Sequence, residues 1–360
     1  MGRSVADRRS GPSRHWATGL SNTGAPSRLW DIALGVIRST LAWALRLRAR
    51  WSSSRVGLVL CYHGISQREG DPVREISAAV SLRNFARQLR HLRRGYRVVP
   101  AACLAEAAAA RTRGRRLPVA ITFDDDLPSH LSHAAPALRR ARLSATFFLS
   151  GAGLNGPFSF WWQLLQRAWD GGLVDARLLD AWGIQHSDVS LRQVARRLEA
   201  MSPAERDAAA ASLRAALGGD DPDDTLSREG VEALAAAGFE IGFHTRKHDD
   251  LLGLSDQELL VALSAGRAEL EGIAGPLSLI SYPHGRADDR VAAAARAAGF
   301  RFGFIADGSP VVLGDDPHLL GRRYPARGAG GRFALDVAST LSAACPNPFS
   351  RRPRNRLSRR

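Results

Sequence analysis

Acid is nearly missing from the first 55 residues, where only Asp7 and Asp31 stand among many arginines, and the chain ends in RRPRNRLSRR. Both ends are therefore strongly basic while the middle is closer to neutral, and the whole chain carries 50 Lys+Arg against 35 Asp+Glu. Nucleic-acid binding needs a recognised motif or a basic face interleaved with aromatics. Neither is found, so no nucleic-acid partner is expected. The basic ends read instead as solvated arms or as contacts to an anionic membrane surface. Cysteine is scarce as well: Cys61, Cys103 and Cys345 are odd in number and widely spaced. That spacing excludes a disulfide framework and a cysteine metal site, and the three read as reduced thiols. The first 28 residues hold no apolar h-region, so no secretory signal is expected and a cytoplasmic location follows, peripheral to the inner membrane face. A long uninterrupted apolar run is also lacking. The segment LWDIALGVIRSTLAWALRLRAR, 29–50, is broken by Asp31 and Arg38. It is a poor membrane span and a fair amphipathic helix, with a helix packed on the domain as the plain alternative.

What is present is an alternation. RVGLVLCYHGI (55–65), YRVV (96–99), LPVAITF (117–123) and LSATFFLSG (143–151) read as strands buried on both faces, with helices expected over 81–95, 101–110 and 130–141. From about 155 to 226 the pattern becomes helical with no strand, and an inserted helical segment is expected there. The alternation then resumes with strands FEIGFH, LSLISYP and FRFGFIA, separated by helices over 255–273 and in ADDRVAAAARAAG. Strands that are apolar throughout and alternate with helices predict an α/β fold whose parallel sheet closes into a barrel. The expected organisation is a basic leader over 1–55, a barrel over 56–330 with the insertion at about 155–226, and a C-terminal helix and basic tail over 331–360.

In such barrels the chemistry sits at the C-terminal strand ends. There the sequence places His63, the acids Asp124, Asp125 and Asp126 of ITFDDDLPSH, the pair His244 and His248, and Tyr282, Pro283 and His284. Three adjacent acids repel and resist burial, so they must meet water, a metal or a basic partner, unless they form only a solvated turn. His244 and His248 would share a face if the chain turns helical there, and two imidazoles with one carboxylate are a usual catalytic set for zinc and related divalent ions. Amides just after Pro283 can point into the site as oxyanion donors.

The ordered set LCYHGI, ITFDDD, HTRKH, SYPHG and LLGRRYP resembles the polysaccharide deacetylases of carbohydrate esterase family 4, the NodB-homology domain, over roughly residues 57–327. The resemblance implies a distorted (β/α) barrel of about seven strands. It also implies a metal-dependent hydrolase that removes an N-acyl group, acetyl being expected, from an amino sugar in a glycan or a lipid-linked sugar. By position it makes Asp124 the general base, and Asp125, His244 and His248 the ligands of a divalent metal ion, zinc or else cobalt or manganese. The backbone N–H of His284 becomes the oxyanion donor. Asp126, His63, Tyr282, Trp161 and Trp162 are the expected substrate contacts.

Three departures from the family pattern stand out. Asp126 replaces a glycine, and reads as a helix cap or a contact to the substrate. No Arg precedes the proline of ISYPHG, so Arg322 of LLGRRYP is expected to orient Asp124, with Arg323 as the alternative. The family's late histidine, which protonates the leaving amine, has no clear counterpart; His318, His284, His130 and His63 are the options. Phe158, Phe160, Trp161, Trp162 and Trp169 in the insertion read as core, or as a lid that stacks on sugar rings. The missing groups also leave room for a second function, a carbohydrate-binding protein that keeps the fold without turnover.

Overall fold

Six of the apolar stretches and the segment LGRR become the staves of a closed barrel: β1 (Val56–Tyr62), β2 (Pro118–Phe123), β3 (Thr146–Leu149), β4 (Glu240–Phe243), β5 (Leu279–Ser281), β6 (Phe302–Ile305) and β7 (Leu320–Arg323). This is a computed structural model, and it describes residues 28–185, 189–328 and 330–345. The basic leader before residue 28 and the arginine-rich tail after 345 lie outside the described residues. The strands pair in chain order, every pair is parallel, and β7 returns to β1 to close the ring. All residues of β1 and β2 are buried, as a strand covered by helices outside and side chains inside requires. Val311–Val312 adds an antiparallel edge to the start of β1, and Arg97–Val98 lies alongside β2.

The helices are α1 (Arg28–Trp51), α2 (Leu82–Gly95), α3 (Leu104–Ala109), α4 (Ala135–Ala141), α5 (Trp161–Asp170), α6 (Ala176–Ala181), α7 (Leu191–Glu199), α8 (Pro203–Leu217), α9 (Arg228–Ala236), α10 (Asp256–Ser264), α11 (Arg267–Ala274), α12 (Asp289–Ala297) and α13 (Gly331–Ala343). Local signals set their starts: the hydroxyls of Ser81, Ser202 and Ser255 each accept from the amide three residues on. The single helix expected over 255–273 is broken between α10 and α11. Gly266 adopts φ +77°, and the Arg267 guanidinium then donates to Ala298 and Leu277 carbonyls, turning the chain back toward β5. The start of the helix expected over 130–141 is π-helical at His130–Ala134.

Helices α5 to α8 lie between β3 and α9 and bury their own cluster, which includes Leu164, Leu165, Leu191, Val194, Leu198 and Leu213. Trp162 packs with Phe160 and Ala152, joining this segment to the barrel's C-terminal end. Helix α1 runs along α13: Ala42 packs with Ala334 and Ala338, and Arg48 donates to Ser342 Oγ at 2.9 Å.

Candidate active site

Strand register determines which side chains meet at the barrel's C-terminal end. Tyr62 of β1 pairs with Phe123 of β2, and Asp124 N–H donates to the Tyr62 carbonyl at 3.0 Å, so the acid run begins where the strands end. Beside it, Val59 of β1 pairs with Arg322 of β7, whose side chain is fully buried. Its two terminal nitrogens donate to the two oxygens of Asp124 at 2.6 and 2.7 Å, a forked pair that fixes the carboxylate's plane. Ser281 Oγ donates to the same carboxylate at 3.0 Å. Burial pushes the Asp124 carboxyl up, but Arg322, His244 and His63 together hold it well below the usual carboxylate range. Arg323, the alternative partner, points elsewhere and donates to Asp336 at 2.7 Å.

Asp125 turns the other way because its backbone is left-handed, at φ +68°. Its Oδ1 lies 3.6 Å from His244 Nε2 and 3.6 Å from His248 Nε2, and it is buried with no hydrogen-bond partner. His244 Nδ1 sits 2.8 Å from the Ser281 carbonyl, which puts the proton on that nitrogen and leaves Nε2 as a lone-pair donor facing Asp125. Burial raises the Asp125 carboxyl, and the neighbouring His244, His63 and His248 bring it well below the usual range. His248 is driven well below the ordinary imidazole value by burial and then by His244, which favours the neutral, ligating form. The histidines do not share a helix face, as H-x-x-x-H suggested. They converge through an irregular loop in which Thr245 and His248 are both left-handed, at φ +57° and +54°.

An orphaned carboxylate oxygen held between two imidazole lone pairs is the arrangement a divalent cation completes, and the donor atoms of Asp125, His244 and His248 lie within 4.8 Å of one another. The residues present therefore fit the metal. Left-handed backbone is concentrated here. Of the five non-glycine residues with positive φ among the described residues, Asp125, Thr245, His248 and His284 belong to this site and Arg142 lies elsewhere.

A cavity of about 320 Å³ opens above these groups, lined by His63, Asp124, Asp125, His244, His248 and His284 from the barrel and by Trp161, Trp162, Arg192, Arg196 and Glu199 from the insertion. Trp162 stacks on Phe160 at 4.4 Å and its ring lies 4.6 Å from that of His248, while Trp161 is half-buried at the wall. These tryptophans are thus both core and cavity surface. His63 Nε2 approaches Asp125 Oδ2 at 4.0 Å. The His284 ring lies 4.7 Å from that of His248 and its Nδ1 is 3.1 Å from Glu199.

Two expected substrate contacts are corrected. Asp126 does not line the cavity: Ser150 N–H donates to its Oδ1 at 2.7 Å, and Ser150 Oγ and Ala152 N–H hold its Oδ2. It ties the end of β2 to the end of β3 and caps no helix. Tyr282 is fully buried behind the site, with its hydroxyl donating to the His318 carbonyl at 2.9 Å over Gly303. Among the proton-donor options, His318 is bonded to Phe300 and His130 lies between Phe123 and Phe147, both off the cavity. Glu199, Arg192 and Arg196 were not found from the sequence, because nothing in LRQVARRLEA distinguishes a cavity face from a solvated one.

A parallel barrel with two histidines, two acids and a buried arginine at its C-terminal mouth defines a class of barrel hydrolase. The profile of the polysaccharide deacetylase family matches residues 112–303, just over half of the chain, and the chain belongs to that family. It is accordingly a hydrolase of carbon–nitrogen bonds other than peptide bonds. No curated protein matches it. Among solved structures, the deacetylase PplD of Streptococcus pyogenes, in complex with acetate, superposes with a TM-score of 0.53 at 15% identity, covering 80% of this chain and 99% of that one. The polysaccharide deacetylase BC0361 of Bacillus cereus gives 0.51 at 18% identity, covering 80% and 69%. IcaB from Ammonifex degensii gives 0.50 at 20% identity, covering 81% and 98%. These likenesses establish the fold.

Proposed function

We propose that the protein removes an N-acyl group, acetyl being the expected one, from an amino sugar in a glycan or lipid-linked precursor, with a divalent metal held by Asp125, His244 and His248. The observation that carries this reading is the orphaned Asp125 Oδ1 set 3.6 Å from both imidazoles, directly beside a carboxylate that Arg322 has locked in place. A divalent metal held by these three residues, zinc or else cobalt or manganese, would supply Lewis acidity toward the acyl carbonyl and toward water. Asp124 takes the proton as the water adds to the acyl carbon. Arg322 keeps that carboxylate ionised and aimed. The backbone N–H of His284, whose residue stands in a left-handed turn at φ +57°, serves as the oxyanion donor. His284 Nε2, buried without a partner at the cavity and oriented by Glu199, returns a proton to the nitrogen as the carbon–nitrogen bond breaks. The products are the free carboxylic acid and the amino sugar. Trp161 and Trp162 offer ring faces for the sugar.

The test uses full-length protein stripped with EDTA and reloaded with zinc, cobalt or manganese, measuring acetate release from N-acetylated amino-sugar oligomers and lipid-linked sugars. Release that requires metal and disappears in Asp124→Asn supports the reading. No release from any of them with any metal overturns it.

The same proposal places the protein on the inner membrane face. Among the described residues no helix is long and apolar enough to cross a membrane. Helix α1 nevertheless exposes Trp30, Val36, Ile37, Leu41, Trp43 and Trp51 on the faces turned from α13, with Trp30 67% exposed. Such a face, flanked by Arg38 and Arg50, suits the boundary of an anionic bilayer. Flotation with phosphatidylglycerol vesicles, lost in Trp30→Ser/Trp43→Ser, is the expected result; flotation unaltered by the substitutions overturns it.

A further inference from the structure

The charges around the cavity do not cancel. Asp124 is neutralised by Arg322, Asp125 faces two histidines, and Glu199 is taken by His284 at 3.1 Å and Arg286 at 3.6 Å. Two guanidiniums remain. Arg192 and Arg196 both line the cavity from α7, four residues apart and so on one helix face. Arg192 is half-buried and pinned by donating to the Pro72 and Glu75 carbonyls, which orient it without cancelling its charge. Arg196 has no hydrogen-bond or ion-pair partner for its side chain among the described residues. A third donor belongs to the same cavity: the Trp161 ring lines it, and its Nε1 is buried without a partner. Two guanidiniums that no acid neutralises, together with an unpartnered indole N–H, favour an oxyanion over a neutral sugar at this wall.

We infer that Arg192, Arg196 and Trp161 form a subsite for an anionic group, a phosphate or a carboxylate, carried by the substrate next to its acylated amino sugar. The inference rests on the deacylation reading for the sugar's place in the cavity and adds the chemical class of the substrate. The wall comes from the inserted helices and not from the barrel, so the machinery that breaks the bond is separate from the groups that select the charged sugar. The subsite holds its anion at a half-exposed surface, so binding weakens as salt rises.

The test uses EDTA-treated protein, so that no metal competes for the anion, and follows tryptophan fluorescence on titration with three probes. N-acetylglucosamine 1-phosphate carries phosphate, N-acetylmuramic acid carries carboxylate, and N-acetylglucosamine is neutral. At least one anionic sugar is expected to bind about tenfold more tightly than the neutral one; which of the two does so separates phosphate from carboxylate. Arg192→Gln/Arg196→Gln is expected to erase the preference. Arg196→Gln alone, which alters only an exposed side chain, is expected to reduce it about threefold, while Arg197→Gln, whose side chain bonds the Trp182 carbonyl away from the cavity, keeps it. Equal affinity for all three sugars, no binding of either anionic sugar, or a preference that survives the double substitution overturns the subsite. A preference that is present and lost as described, in a protein that releases no acetate from any substrate, overturns the deacylation reading and leaves the subsite standing.

Discussion

The floor and the wall of the cavity differ in how tightly their side chains are held. On the floor Asp124, His244 and Arg322 are 3%, 1% and 0% exposed, each is fixed by a named partner, and the backbone accepts left-handed residues to bring them together. Each such residue costs about 1–2 kcal/mol, which a site tolerates where position matters more than stability. The wall is looser. Trp161, Arg192 and Glu199 are half-buried, Arg196 is exposed, and all of them ride on helices with their own core. The difference teaches that the barrel end is built to place reacting groups, and the insertion to meet whatever surrounds the acyl group.

Substitutions can break this contrast, beginning with the largest effect. Asp124→Asn keeps the shape of the floor and removes the base, so kcat is expected to fall about 10³-fold while bound metal, read by atomic absorption, stays at the wild-type ratio. Arg322→Met leaves the Asp124 charge buried and unpaired, and denaturant unfolding is expected to show a loss of about 3–5 kcal/mol. Asp124→Asn/Arg322→Met is expected to regain part of that loss; a double variant as unstable as Arg322→Met would refute the charge argument.

His130 gives a third test, below the floor. Burial drives its imidazole from the usual 6.5 down to about 4. As pH falls through 6.5 the unfolded chain takes up a proton that the folded chain refuses, so stability present at neutral pH is lost progressively toward pH 4. His130→Phe, between Phe123 and Phe147, is expected to remove that loss, narrowing the slope of stability by about 1.4 kcal/mol per pH unit between 4 and 6.5. Parallel slopes for the two proteins would contradict it. The wall yields the smallest effect: Trp161→Ala is expected to raise KM about three- to tenfold with little change in kcat, the signature of binding shared by ground and transition states. A fall in kcat with KM unchanged would move Trp161 to the floor.

Much of the floor was legible because strands buried on both faces leave only their ends for polar groups, and β1 through β6 stand out as such strands. Asp124, Asp125, His244 and His248 could be named for that reason. The distinction between Arg322 and Arg323 was not legible, since it depends on the register of β7 against β1. The neighbouring arginine goes instead to Asp336. The convergence of His244 and His248 was expected from helical spacing and is achieved by left-handed loop residues, which no periodicity reveals. Tyr282 at a strand end looked available to substrate, but its hydroxyl is held by the His318 carbonyl behind the site. Of the wall, Trp161 and Trp162 were legible as aromatics in the insertion, whereas Arg192, Arg196 and Glu199 were hidden, because they are ordinary residues of an amphipathic helix until the insertion folds over the barrel.

Asp126 stands where the family motif has glycine, and its carboxylate is held by Ser150 and by the Ala152 amide in a place closed to water. Glycine at 126 would strand that hydroxyl and those amides without their acceptor, whereas Asp126 opposite a residue at 150 with no hydroxyl would lose one of its three donors and keep the two backbone amides. The two side chains are therefore coupled through the Ser150 hydroxyl. Across related chains an acid at 126 is expected to travel with a small donor at 150, and glycine at 126 with a different closure of the β3 end. Their exchange should be visible as covariation wherever this branch of the family is sampled deeply.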